Sequence, residues 1–355
     1  MDNKEALAIA EHLKALTSSE EVVSYLTSLA KEHPEERLLR LAYAQKIHDL
    51  LIEERESVSE ADNPVLVDLE KEYHFASSIK AIKEALSHQD FQQAELSLEG
   101  VMPFVEEVAL FYQSQKKGRY AYYEDSYEEF VDFFLHQNEG LGAEVLYPLG
   151  EIYALKAAIG YETNDLKSAL GDIKKALNFS PAHFAFYQER YTILLALKKD
   201  SSLLKKELVG MFPYVRKGED LRQLYDALGD LAEEKGAYRD AEIYHALGLS
   251  FAEGDEAEKQ ESEAVERISD TTGIPYQNLD AKELHAFLDK EAVPMGSSSL
   301  FLQALEQLVI LAGKRDKDYE VAIPLAEQLV SLSCHEESAE ALLSSLKEDQ
   351  AKAKS

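Results

Sequence analysis

Apolar residues recur along most of this chain at intervals of three and four, the spacing that gathers side chains on one face of an α-helix. The clearest stripe runs through Leu166, Ala169, Leu170, Ile173, Ala176 and Leu177, with Lys167, Asp172, Lys174 and Lys175 on the opposite face. The same periodicity predicts a first helix pair at 3–16 and 19–32, in which Ser18 and Glu21 have the spacing of a capping box, and a further helix at 36–54. Pro34 should end the second helix, and Asp62-Asn63-Pro64 should interrupt the pattern, because the residue before a proline is pushed out of the α region. A long run to Ser87, a turn at His88-Gln89-Asp90 and a helix from Phe91 stopped by Pro103 come next, then a helix over 104–116 ending at Lys116-Lys117-Gly118. Ser126 and Glu129 suggest another capping box, with Tyr127, Phe130 and Phe134 on one packed face. Helices are expected at 148–162 and 165–179, a weaker pair at 184–212 before Pro213, and a pair within 221–251. The polar run 252–270 is a solvated helix or a mobile connector. Beyond the turn at Thr272-Gly273-Ile274-Pro275, Asp280 and Glu283 should cap a short helix to Glu291. Pro294-Met295-Gly296-Ser297-Ser298-Ser299 is the most linker-like stretch; a pair at 300–313 and 318–332 and an end helix at 336–346 follow, with the last residues, AKAKS, expected to fray.

One stretch carries more than periodicity. In Leu221 to Phe251, Tyr225, Leu228 and Gly229 have a Tyr-x-x-Leu-Gly spacing, Gly236, Tyr238 and Ala241 form a Gly-x-Tyr-x-x-Ala turn, and Gly248 stands seven residues after Ala241. Small Gly229 facing small Ala241 would let two antiparallel helices approach closely, with Tyr225, Leu228, Tyr238 and Tyr244 around the contact. This resembles the tetratricopeptide repeat (TPR), a two-helix unit of about 34 residues. Asn164-Asp165-Leu166-x-x-Ala169, followed by Ala176 and Pro181, is the second match; Asp90-Phe91-x-x-Ala94 and Asp318-Tyr319-x-x-Ala322 echo the turn, and Pro34 and Pro103 are 69 residues apart. Such a hairpin cannot bury its own apolar face, so the resemblance implies stacked neighbours: an all-α, right-handed α-solenoid of antiparallel helix pairs, with divergent capping units at both ends. On that reading 1–140 holds divergent N-terminal repeats, 141–252 the central array, 253–299 a polar helix and linker, and 300–355 a C-terminal pair with its end helix.

Composition narrows the partners. The formal charge is −30, from 67 acidic and 37 basic residues, which disfavours a nucleic-acid backbone and an anionic membrane surface alike. That acidity keeps an extended surface soluble, or meets a basic partner. The N-terminus carries Glu5, Glu11 and His12 in its one apolar run, which is neither a leader nor a span, so the expected location is the cytoplasm. Cys334 is the single cysteine, which excludes an internal disulfide and a multi-cysteine zinc site.

No catalytic pattern is apparent. The ten histidines are scattered and none makes His-Glu-x-x-His; Gly140-Leu141-Gly142 lacks the third glycine and the preceding strand of a dinucleotide loop. Neither an enzyme, a metal nor a cofactor is expected. The resemblance implies instead a groove lined by the first helix of each unit, binding a protein or peptide. Its candidate residues are Glu151 and Tyr161, then Gln188 and Thr192, then Asp226, Asp230 and Glu233. Some TPR proteins hold a C-terminal carboxylate with Lys and Asn at such positions; acids stand here instead, which favours a basic or hydroxyl-rich segment. Tyr120, Tyr122 and Tyr123 form a second candidate surface. Three functional classes are thereby in view: an interaction scaffold or adaptor; a regulator that closes around a short peptide with 253–299 as its hinge; and an enzyme with a site buried between helices.

Overall fold

Residues 25, 64–114, 120–136, 143–145, 147–252, 254–277, 279–333 and 335–354 are described by the computed structural model. Among them run fourteen α-helices: α1 (Pro64–Ser87), α2 (Phe91–Ser114), α3 (Ser126–Leu135), α4 (Leu149–Glu162), α5 (Leu166–Phe179), α6 (Phe184–Ala196), α7 (Ser201–Met211), α8 (Gly218–Glu234), α9 (Tyr238–Leu249), α10 (Asp255–Thr272), α11 (Ala281–Glu291), α12 (Ser299–Ile310), α13 (Tyr319–Leu332) and α14 (Glu337–Lys354). The β content described is one ladder of two-residue strands, β1 (Tyr120–Ala121) and β2 (Ala143–Glu144). Apart from helical Tyr25, the pairs expected at 3–16 and 19–32, the Ser18–Glu21 cap, Pro34 and the helix at 36–54 lie outside the described residues. So do Asp62-Asn63, Lys116-Lys117-Gly118, Gly140-Leu141-Gly142 and Cys334. No described helix is long and apolar enough to cross a membrane.

The chain divides into two compact units, Met1–Tyr122 with Glu144–Asp165, and Tyr123–Ala143 with Leu166–Ser355. In the first, α1, α2 and α4 pack on one another around Phe75, Ile82, Ala94, Val101 and Ile152. Phe75, Phe104 and Tyr147 form a ring triad with centroids 4.8–5.7 Å apart. Pro103 does not stop α2, contrary to the expectation from sequence. Val101, Val105, Ala109 and Tyr112 keep one buried stripe running past it, and their packing outweighs the lost backbone hydrogen bond.

In the second unit consecutive helices from α5 to α10 pack on one another, as do α12 on α13 and α13 on α14. One continuous apolar core runs from Tyr127 and Phe184 through Tyr225 and Ala241 to Leu325 and Leu346. Helix α3 seats Tyr127, Phe130 and Phe134 against Phe301, at centroid distances of 5.1–6.3 Å, as a packed face. Its cap is one residue earlier than the spacing suggested. Asp125, not Ser126, accepts from the N–H groups of Tyr127 and Glu128, because a carboxylate offers the stronger acceptor at a helix start. Asp280 and Glu283 form the predicted capping box. The polar run is helical as α10 from Asp255 onward, and the terminal AKAK remains helical in α14. Pro294–Ser299, linker-like in composition, is tied down: the buried Tyr225 hydroxyl donates to the Pro294 carbonyl at 2.9 Å and accepts from the Gly296 N–H at 2.7 Å.

A turn of one kind recurs between successive helices. Gln89, Asn164, Lys198 and Gly236 have φ of 57°, 62°, 52° and 73°, and the N–H of the following residue returns to a carbonyl five positions back. These bonds are Asp90 to Ala85, Asp165 to Gly160, Lys199 to Leu194 and Ala237 to Ala232, at 2.7–3.2 Å. That is how a left-handed residue closes a helix and satisfies its last carbonyls. The last three turns stand 34 and then 38 residues apart in the sequence. On the helices that follow such turns, Ala94, Ala169 and Ala241 are fully buried, as is Ala322 after the turn at Lys317.

Candidate functional site

Helix α8 presents successive carboxylates because Asp226, Asp230 and Glu233 repeat at four and three residues, while Leu221, Leu224, Tyr225, Leu228 and Leu231 hold its other face in the core. Asp226 keeps 41% of its side-chain surface exposed, and Asp230 is exposed. Facing them from α9 is His245, whose side chain is 1% exposed; its Nδ1 stands 2.9 Å from Asp226 Oδ1. Ligand-capable atoms of Asp226, Asp230 and His245 all lie within 4.8 Å of one another. Burial, and after it the charge of Asp226, holds the Asp230 carboxyl above the ordinary aspartate range, against the opposing pull of His245 and Arg267. Arg267 is itself ion-paired with Glu233. Asp230 makes no hydrogen bond or ion pair among the described residues.

The helical Gly229 has a different purpose from the one its spacing suggested. A Cβ there would meet the His245 ring, with Nε2 at 2.6 Å; the missing side chain accommodates an imidazole and not Ala241. Tyr238, at the first position of α9, is 37% exposed and does not fill the space between the helices. Tyr225, Leu228, Ala241 and Tyr244 are buried there as expected.

The other candidates fall as follows. In the first unit Glu151 is ion-paired with Lys83 at 2.5 Å, and Tyr161 is half-buried near the end of α4. In the second, the Gln188 amide donates to Gln223 Oε1 at 2.7 Å, which links α6 to α8, and the Thr192 hydroxyl bonds back to the Gln188 carbonyl at 3.1 Å. The α6 neighbour Tyr191 is pushed up to about 12 by burial, with Asp230 and Glu234 adding to it, so its phenol borders the α8 acids. Tyr120, Tyr122 and Tyr123 are half-buried; Tyr120 packs against Tyr112 with centroids 5.3 Å apart, and Tyr123 donates to the buried Asp132 carboxylate at 2.6 Å.

Sequence reasoning missed His245 altogether. The signal was Gly229, a glycine inside a strongly apolar helix pattern, which marks close approach by something on the facing helix. It also missed a second histidine–carboxylate cluster. His183 Nδ1 lies 2.6 Å from Glu128 Oε1 and 3.6 Å from Glu124 Oε2, and Glu128 is 1% exposed. Here a guanidinium intervenes: Arg216 reaches Glu128 at 3.2 Å and Glu124 at 3.6 Å, and pairs with Asp125. Burial works against the His183 imidazolium, but the hydrogen bond and charge of Glu128 outweigh it and hold the pKa above its ordinary value.

No protein-family model matches the chain, and no curated protein matches it.

Proposed function

We propose that this chain is a protein-interaction scaffold of the TPR kind, a right-handed α-solenoid of antiparallel helix pairs that binds a basic or hydroxyl-rich segment of a partner along α8. The repeated left-handed turns at a spacing near one TPR unit support the architecture, as do the buried alanines beyond them and the packing of helices on their neighbours in sequence. One observation carries the assignment of the surface: Asp226 and Asp230, on adjacent turns of α8, have no arginine or lysine in ion pair with them among the described residues. Two carboxylates so placed repel each other, and a cation brought by a partner relieves that repulsion. Binding is the reading, not catalysis, and the partner is a protein or peptide, not nucleic acid or a membrane, met in the cytoplasm. The regulator that closes on a peptide has less support. Its hinge region is helical over Asp255–Thr272 and Ala281–Glu291 and fastened by Tyr225 at Pro294 and Gly296.

Fluorescence anisotropy with Lys/Arg-rich, Ser/Thr-rich and acidic nonapeptides tests the surface. The expected result is binding of the first or second set that weakens with salt and is lost in the Asp226→Lys/Asp230→Lys variant. Equal affinity in that variant, or preference for the acidic set, overturns the reading.

A further inference from the structure

The geometry points to a site for one first-row divalent cation at Asp226, Asp230 and His245. The donor set is an imidazole nitrogen and two carboxylate oxygens, a mixture suited to Mn²⁺ or Zn²⁺ and not to the all-oxygen preference of Mg²⁺ and Ca²⁺. Ligand atoms sharing an ion at about 2.1 Å lie no more than about 4.2 Å apart, and these three, all within 4.8 Å of one another, need only small side-chain rotations to close on one. Two features set this cluster apart from an ordinary acidic surface. His245 is buried against the turn of α8 that carries both aspartates, in a space that exists because residue 229 has no side chain. The chain holds a counterexample of the same composition: Glu124, Glu128 and His183 also lie within 4.8 Å of one another, but Arg216 already supplies their positive charge. At the α8–α9 cluster Arg267 is paired with Glu233, and two carboxylates meet an imidazole. Two packed helices hold the ligands, which limits the reorganisation that binding demands. Exposure of Asp226 and Asp230 leaves the remaining coordination positions open to water or to a partner's group.

The histidines looked scattered in the sequence; the hairpin is what brings one of them to two aspartates. The inference shares these aspartates with the proposed peptide surface but does not rest on it, since an ion binds with no partner present.

Titration of the full chain with Mn²⁺, followed by loss of the free-ion paramagnetic resonance signal and without any peptide, tests the site. We expect one site per chain tighter than the diffuse binding of a highly acidic surface, displaced by Zn²⁺ but not by equal Mg²⁺. Asp230→Asn should weaken it about tenfold or more, and Glu124→Gln should leave it unchanged. His245→Gln is the second variant, checked by circular dichroism; Asp230→Asn carries the test if it misfolds. Absence of a distinct site at millimolar Mn²⁺ and Zn²⁺, or a site indifferent to Asp230→Asn, overturns the inference, as does one lost in Glu124→Gln. Failure here with intact peptide binding refutes the metal site alone.

Discussion

Two histidines in the second unit each meet two carboxylates, yet only one of these clusters includes an arginine of its own. At His183 the arginine of another segment enters, and Glu128 is buried with the Arg216 guanidinium, the imidazole and the Glu124 N–H as partners. At His245 the acids stay at the surface and the histidine is the buried member. The first arrangement ties α3 to the segments before α6 and α8 and already has an arginine among its acids. The second has negative charge and an open side, which is what recognition of something positive needs. Similar residues in similar proximity thus serve structure in one place and are available for binding in the other.

Removing Arg216 is the strongest way to break this comparison. Arg216→Met leaves the Glu128 carboxylate buried with one cationic partner fewer, and should destabilise the chain by about 3 kcal/mol in urea unfolding. Asp230→Asn, at an exposed position, should change stability by less than about 0.5 kcal/mol. Equal losses would mean that the two clusters are not different in kind.

Next in size is Gly229→Ala. The new methyl group would overlap the His245 ring, and overpacking of about 1–3 kcal/mol should exceed the gain of about 1 kcal/mol in helix propensity. Placing His245→Ala in the same chain should turn the alanine at 229 from harmful to helpful, a coupling that a double-mutant cycle reads directly. Simple additivity would show that the imidazole is not seated against α8.

The smallest expected effect is in pH. The folded-state pKa of His183 is raised, so its contribution to stability is full below the unfolded value near 6.5 and is lost as pH rises through the folded one. Thermal unfolding should therefore show a decline from pH 6.5 upward that is shallower in His183→Gln. Parallel profiles would mean that His183 gains nothing from Glu128 in the folded chain.

What could be seen in the sequence follows from distance along the chain. The apolar stripe of α5, the Asp280–Glu283 cap and the turns at Gln89, Asn164 and Gly236 are set by residues within a few positions of one another, and local spacing finds them, although Asp172, expected on the polar face of α5, is buried. Helix α2 passing through Pro103 depends on Val105 and Ala109 being buried, which no local rule contains. The anchoring of Pro294 and Gly296 comes from a hydroxyl about seventy residues away, so composition alone resembled a linker. Asp226 and Asp230 were recognisable as a polar face on α8, whereas His245 joins them only after the hairpin closes, and Arg216 meets Glu128 across 88 residues.

The claim that the α8–α9 cluster is the binding face is tested most directly by hydrogen–deuterium exchange of the full chain with and without the tightest-binding basic peptide. We predict added protection concentrated in peptides covering Gly218–Glu234 and Tyr238–Leu249, with none at Ser126–Leu135. Protection at α3 in place of α8 and α9, or a bound state with unchanged exchange at both, would contradict the account.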